Sequence, residues 1–564
     1  MVLFTIRCIE PWENCFLYEL GVYAEKAEEE KKDDAVLILL VLMVSLEILF
    51  LVYMNFFHIQ DGVDQDFAKL IRHVVEMGRN RTLFLDNWSY LTTGEQDCAA
   101  ILAVFFYLIT GKVYFSYALA NVCDIFIWLG ITGCLLRTIG LSAKMRFMLY
   151  GLLFTAYDFG MLQYTNMLFY GGGQYTYKAM VPILLITILI CRQRCKSVTR
   201  FLVIVYFFLL FLCSISSGVY VFICGVVPVL ILFWVLLVGR DDGKEQQRHW
   251  SLMAVSSIIA VLLGLGICKF YNIQPNSASM SLSAFDHNMT ERFMECLNSL
   301  VALFHPRYES TPAVSIKGVF ECVGWCLVLV VLCGVLAIRK LIGLYALLQC
   351  RTEGKDEKTD IKAEAEVLLI GVFVWNFAVI LLTADAGRYH LIGAIPLMMC
   401  AVLEMEDYLS RYREQIAEGI RLVVCGLLLL MCIYNIRYGA ADYFSGRDYV
   451  VGGLRWQYED LDHIQKVMDE EKVQTCVFLD YNEIAERMRA EDYVRQYYSY
   501  STIENRITIA DYYKVDDVQI MTGDYLIAAT EESFHRLPES MRSHCTETGK
   551  TAIGLSVWKH SGRR

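Results

Sequence analysis

Apolar residues in this chain come in long blocks. The first runs from Ala35 to Phe57 with Glu47 as its one charge, and comparable blocks recur as far as Tyr438. Segments of roughly 18–22 apolar residues are long enough, as helices, to cross a hydrocarbon core of ~30 Å. The pattern predicts about eleven spans: 35–57, 113–136, 147–164, a short fourth ending at Cys191, 201–217, 219–238, 252–271, 319–338, 367–382, 391–405 and 422–438. The stretch 99–110 is apolar but too short to cross, and it is read as a helix lying in the interface.

Charge gives the threading a direction. The segments before and after the expected spans carry Lys31/Lys32, Arg137/Lys144/Arg146, Arg192/Arg194/Lys196/Arg200, Arg240/Lys244/Arg248, Arg339/Lys340 and Arg411/Arg413 on one side. The intervening loops are poorer in Lys and Arg. Positive loops stay in the cytoplasm, so the N-terminus is expected inside and the odd number of spans puts the C-terminus outside. Met1 to Glu30 is too polar for the apolar part of a signal peptide. Two large outer loops follow, 58–112 and 272–318.

From about residue 440 the pattern changes. Residues 473–479, 524–529 and 553–558 read as buried strands, with a charged helical stretch over 482–497. Some 120 residues can bury a small core. The expected fold is a polytopic α-helical membrane protein: a cytoplasmic segment 1–34, a transmembrane domain 35–439, and a small extracytoplasmic α/β domain 440–564.

Composition agrees: 56% of the 564 residues are hydrophobic. The formal net charge of −11, with no basic face, excludes nucleic acid as a partner. Of the 20 cysteines, most fall inside spans, where Cys acts as a small apolar residue. No disulfide framework is expected, and Cys476 with Cys545 is the one pair worth testing.

Polar chemistry gathers on the outer side. Asp61, Asp64 and Asp66 follow the first span, and Trp88, Tyr90, Glu95 and Gln96 lie behind them. A carboxylate there can accept a proton from a hydroxyl or hold a metal, while aromatic faces pack on sugar rings. The plainer alternatives are solvated loop charges, or an N-cap for the helical pattern that begins at Phe67. Asp385, Arg388, Tyr389 and His390, squeezed between two late spans, form a second group. A guanidinium at a membrane lip suits a phosphate, or it simply anchors a helix end by snorkelling. His305 and Arg307 in the other outer loop offer a similar set. Inside the spans, Glu47, Asp124 and Asp158 are each disfavoured by roughly 2.5–3.5 kcal/mol at mid-bilayer, so they are expected to face the bundle interior.

Asp64-Gln-Asp66 after the first span, the loop helix ending Leu108-Ile-Thr-Gly111, and Arg388-Tyr389 before a late span resemble the layout of the GT-C superfamily of integral-membrane glycosyltransferases. The Pro-rich signature that many members carry before the loop helix is replaced here by Gly94-Glu-Gln-Asp97. The resemblance implies a bacterial surface-polysaccharide type of enzyme in the plasma membrane. Such an enzyme moves a sugar from a polyprenyl-phosphate donor to a glycan, glycolipid or protein acceptor. It implies a catalytic base among Asp61, Asp64 and Asp66, and substrate contacts from Trp88, Tyr90, Glu95, His305, Arg307, Arg388, Tyr389 and His390. No cofactor is required by this pattern, and a divalent metal at the acids stays open. Two other readings stand beside it: a transporter or flippase, which would show discontinuous helices and mid-membrane charges in paired halves, and a non-catalytic polysaccharide-assembly subunit.

Overall fold

Helix α1, Ala35–Phe57, shows why the bundle forms. Leu40, Met43, Val44, Leu51 and Met54 recur at three- and four-residue spacing and are buried, whereas Ile38, Leu42, Leu46 and Leu49 point outward. Both faces are apolar. A helix apolar all round has its stable place in lipid.

The computed structural model describes residues 35–59, 65–85, 96–157, 159, 163–191, 196–237, 243–271, 289–304, 338–340, 342–343, 361–383, 387–437, 466–473, 476–478, 507–509, 523–529, 531–535, 537–550 and 556–562. Among these, six helices are long and apolar enough to cross a membrane: Ala35–Phe57, Val113–Thr138, Thr199–Ser217, Glu245–Phe270, Ile361–Leu382 and Gly387–Leu409. Shorter apolar helices are Ala100–Thr110, Thr176–Cys191 and Phe222–Leu237. The chain is a polytopic α-helical membrane protein. The expected span 319–338 and the helical stretch 482–497 lie outside the described residues.

After α1 come α2 (Gln65–Asn80), α3 (Ala100–Thr110), α4 (Val113–Thr138), α5 (Ala143–Phe154), α6 (Tyr164–Phe169), α7 (Thr176–Cys191) and α8 (Lys196–Ser217). A π-helical turn, Phe222–Val226, leads into α9 (Val227–Leu237). It frees the carbonyl of Ile223, which takes the indole N–H of Trp375 at 3.0 Å. Then follow α10 (Gly243–Phe270), α11 (Met289–Ala302), α12 (Ile361–Leu382), a 3-10 turn Gly387–His390, α13 (Leu391–Leu409) and α14 (Glu414–Asn435).

The third expected span needs correction. Residues 147–164 are not one helix: α5 stops at Phe154, Thr155 leaves the helical conformation, and helix resumes only for the short α6. Yet Thr155, Ala156, Tyr157, Phe159, Tyr164 and Tyr170 are all buried. Irregular backbone at membrane depth is tolerated only where protein covers it or water lines it, and here side chains meet its polar groups. The hydroxyl of Tyr164 donates to Leu153 O at 2.9 Å, and the Asn55 amide donates to Phe169 O at 2.8 Å. Buried Glu47 accepts the hydroxyl of Thr155 at 3.0 Å across α1 and α5. Asp124 is fully buried on α4, and Asp158 lies outside the described residues.

Helix ends sort into two sets. At one end Cys134 meets Cys191, the Ser142 amide donates to Glu406, and Lys144 pairs with Glu418. There too Lys340 pairs with Glu366 and Glu404, Arg339 with Glu404, and Lys362 with Glu406 and Asp407. The other end joins Gln96 to Ser216, Phe84 to Tyr271, and Arg292 to Thr383. This is the grouping that alternating spans require for the described helices. The ion-paired end holds the basic segments that the threading assigns to the inside, and the two ends are called inner and outer on that expectation.

At the C-terminus, β1 (Cys476–Phe478), β2 (Ile507–Ile509), β3 (Tyr525–Ala529), β4 (Cys545–Lys550) and β5 (Ser556–His560) form one mixed sheet in the order β2-β1-β3-β5-β4. β1 runs parallel to β2 and β3; β5 pairs antiparallel with β3 and β4. Tyr525 to Ala529 is buried throughout, as a central strand requires. Cys476 and Cys545 are free thiols on strands separated by β3 and β5, too far apart to pair.

Candidate functional site

The outer end is built around a glycine turn. Gly171 and Gly173 have φ of +59° and +53°, a region that costs residues with a Cβ roughly 1 kcal/mol or more. A Cβ at Gly172 would meet Leu70 Cδ1 at 2.8 Å and Phe67 Cδ2 at 3.3 Å, so any larger residue there would have to displace those side chains. The turn is therefore pressed against α2, with Phe67 beside Gly171 and Gly172 and edge-on to Tyr117 at 5.0 Å. Asn121 holds it from below, donating to Gly171 O at 3.0 Å and to Asn55 Oδ1 at 2.7 Å. Tyr170 donates to His58 O at the mouth of α1. In this way the first turn of α2, which contains Asp66, is seated on the glycine turn.

The chain then enters α7 through Tyr175, and the third helical residue is Lys178. A cation in the first turn opposes the helix dipole, and this one is buried. Asp97 answers it: Lys178 Nζ lies 2.9 Å from Asp97 Oδ2, with side-chain exposures of 9% and 3%. The Ser217 hydroxyl donates to the same carboxylate at 3.0 Å. Lys178 also donates to Gln174 O at 2.7 Å and stands 4.5 Å from the centre of the Tyr175 ring.

Tyr175 links this pair to the late group. Its ring is 6.2 Å from that of Tyr389, which lies 5.3 Å from Tyr220. Tyr389 is fixed through its carbonyl, which accepts from Tyr220 OH at 2.9 Å and Asn376 Nδ2 at 3.3 Å. The guanidinium of half-buried Arg388 stands 5.6 Å from the Tyr389 ring. His390 turns the other way. It is buried, in contact with the Phe377 ring, with Nε2 3.0 Å from Ser299 Oγ on α11.

Of the residues expected from the sequence, Arg388 and Tyr389 thus stand within one run of contacts that reaches the glycine turn. Asp61, Asp64, Trp88, Tyr90, Glu95, His305, Arg307 and Asp385 lie outside the described residues. Asp66 is the second residue of α2, which begins at Gln65, so it does not stand before the helix. Among the described residues no group of three or more His, Cys, Asp or Glu is placed to hold a metal ion. Asp97, Lys178, Tyr175 and Tyr220 are additions. A lone lysine at the head of the apolar run Thr176–Cys191 was the available signal, because a buried ammonium requires a counter-charge.

No family model matches the chain, and no curated protein matches it. Solved structures that show a likeness include two of one protein. One is the crystal structure of ArnT from Cupriavidus metallidurans bound to undecaprenyl phosphate, at 12% identity and a TM-score of 0.49, covering 93% of this chain and 99% of that one. The other is the same protein in the apo state, at 12% identity and a TM-score of 0.43 with the same coverage. At such scores the pair adds nothing to what the helices and the sheet show directly.

Proposed function

We propose that this chain is an integral-membrane glycosyltransferase of the GT-C type. It moves a sugar from a polyprenyl-phosphate donor to an extracytoplasmic acceptor at the plasma membrane. One observation carries the reading. The helix that begins at Gln65, directly after Asp64 in the sequence, rests on the glycine turn, and from that turn the Tyr175–Tyr389 contact leads to Arg388 at the same end of the bundle. Carboxylates, an aromatic surface and a guanidinium are the parts such a transfer needs.

In this mechanism Asp64 or Asp66 takes the proton of the acceptor hydroxyl. The acceptor oxygen forms a bond to the anomeric carbon, the bond from that carbon to the phosphate oxygen breaks, and the polyprenyl phosphate leaves with its electron pair. Arg388 holds the phosphate through forked donors, and Tyr389 offers the sugar a ring face. His390, buried against Phe377 and Ser299, serves the substrate site by shaping the 3-10 turn that carries Arg388. Trp88, Tyr90, Glu95, His305 and Arg307 remain assigned to the acceptor and donor sugars.

The test is transfer by the full chain in nanodiscs, with polyprenyl-phosphate sugars and saccharide acceptors, followed by mass spectrometry of product and released lipid phosphate. Asp64→Asn or Asp66→Asn should lower the rate by roughly 10²-fold or more, the scale of general-base catalysis. Parental rates in both normally inserted variants would refute the assignment. The broken helix between Phe154 and Thr176 and the buried Glu47 and Asp124 favour a flippase as the second reading. It predicts movement of lipid-linked sugar between leaflets with no new glycosidic bond.

A further inference from the structure

The buried Asp97–Lys178 pair does more than neutralise itself, and we infer that it positions the lipid-phosphate site. The inference rests on the proposed function for the identity of the ligand, although the pair is defined by geometry alone. Three features single it out. Both side chains are almost wholly buried. Replacing such a pair by well-packed apolar groups is often neutral or stabilising, so stability alone does not require it. And the contacts of Lys178 are directional: a carboxylate from the segment before α3, the carbonyl of Gln174, and the ring of Tyr175.

Those contacts fix Tyr175. Tyr175 also meets Tyr389, whose neighbour Arg388 carries the guanidinium. Asp97 is itself held, by the Ser217 hydroxyl at 3.0 Å, while the amide of the preceding Gln96 donates to Ser216 Oγ at 3.0 Å. The end of α8 therefore clamps Asp97, Asp97 clamps Lys178, and Lys178 sets the plane of Tyr175. Lys178 is a positioning residue. Its ammonium contacts Asp97, the Gln174 carbonyl and the Tyr175 ring, and it acts on the ligand through the tyrosines and Arg388. A desolvated cation over a ring face is attracted to it and resists the ring's reorientation.

The experiment compares the parent, Asp97→Asn, Lys178→Met and the double variant Asp97→Asn/Lys178→Met as full chains in nanodiscs. Two quantities are read for each: the melting temperature, and the affinity for a polyprenyl monophosphate measured without turnover. Asp97→Asn strands a buried ammonium, so it should lower both. The double variant removes the stranded charge and should melt near the parent temperature. Its affinity for the polyprenyl monophosphate should nevertheless stay roughly ten-fold weaker, a loss of about 1.4 kcal/mol, because nothing orients Tyr175. Tyr175→Leu, which removes the ring that the pair orients, should weaken binding to the same extent as the double variant, and parental binding by it would overturn the inference. A double variant that melts and binds like the parent would show that the pair is packing only and would overturn the inference. A parent that binds no polyprenyl monophosphate would sink the lipid-phosphate reading itself, and with it this role for the pair. The two failures are thus distinguishable.

Discussion

The two ends of the helix bundle use charge in opposite ways. At the inner end bases and acids interleave: Lys340 between Glu366 and Glu404, Lys362 between Glu406 and Asp407, Lys144 with Glu418, and Glu418 again with Arg421 at 2.8 Å. These contacts tie α12 to α13 and α5 to α14. At the outer end the pair Asp97–Lys178 is set among tyrosines and glycines, and Arg388 stands over a ring. Charges that satisfy one another across helices hold the helices. Charges set against aromatic faces and irregular backbone hold side chains in a chosen orientation, which is what a binding site requires.

That contrast can be broken most sharply at Lys340. Lys340→Met leaves Glu366, 3% exposed at its side chain, without its cation, and removing one member of a buried pair costs about 3–5 kcal/mol. The melting temperature of the purified chain should fall steeply, while the fraction that remains folded should bind polyprenyl monophosphate with parental affinity. A weakened affinity in that fraction would merge the two ends into one functional unit. The next effect is expected at Arg388. Arg388→Lys keeps the charge but gives up the forked donor geometry, so KM for a polyprenyl-phosphate sugar should rise roughly ten-fold, or about 1.4 kcal/mol, with the melting temperature unchanged. An unchanged KM would make Arg388 an anchor at the membrane lip.

The smallest effect lies in the C-terminal sheet. His560 stacks on Tyr525 with ring centres 4.6 Å apart, and burial, then the nearby His544, hold its imidazole below the usual histidine range, with Asp524 pulling the other way. The neutral form is favoured in the folded state, so an unfolded chain binds more protons as pH drops through about 6.5, the ordinary histidine value. Stability of this sheet is therefore present above that pH and is lost on acidification. Peptides covering β3 and β5 should show faster hydrogen exchange, relative to intrinsic rates, at pH 5.5 than at pH 7.5. His560→Phe should flatten that difference while retaining the stack.

Much of the bundle was legible because a run such as Ala35–Phe57 states its own solvent: length and hydropathy suffice when the backbone is satisfied within each helix. The failure over 147–164 has the same origin. Hydropathy measures partition into an apolar medium, and Thr155, Ala156, Tyr157 and Phe159 are as buried as a helix would be. It does not report which groups the backbone bonds to, and here those include partners distant in sequence, such as the Leu303 carbonyl for the Tyr164 amide. The C-terminal strands β1, β3 and β5 announced themselves by apolar runs. Strand β4, Cys-Thr-Glu-Thr-Gly-Lys, did not, because it is a largely exposed edge. At the site, Arg388 and Tyr389 stood out as polar residues at a span end. Asp97 and Lys178 did not, since 80 positions of sequence separate the two halves of one ion pair.

The buried irregular run after Phe154 also constrains how the protein is made. Helix α5 has 12 residues and α6 has six, each shorter than the ~20 needed for a stable span. Neither is able to settle in lipid on leaving the translocon as an independent insertion unit. The carbonyls that Asn55 and Asn121 cap would have to wait, shielded, until α1, α4 and α7 have gathered around them. Biogenesis of this region is thus a late, cooperative event rather than a sequence of single-helix insertions. A ribosome-bound chain halted just past Phe169 should leave residues 147–164 open to a water-soluble thiol label at introduced cysteines. A chain released after α13 should protect them.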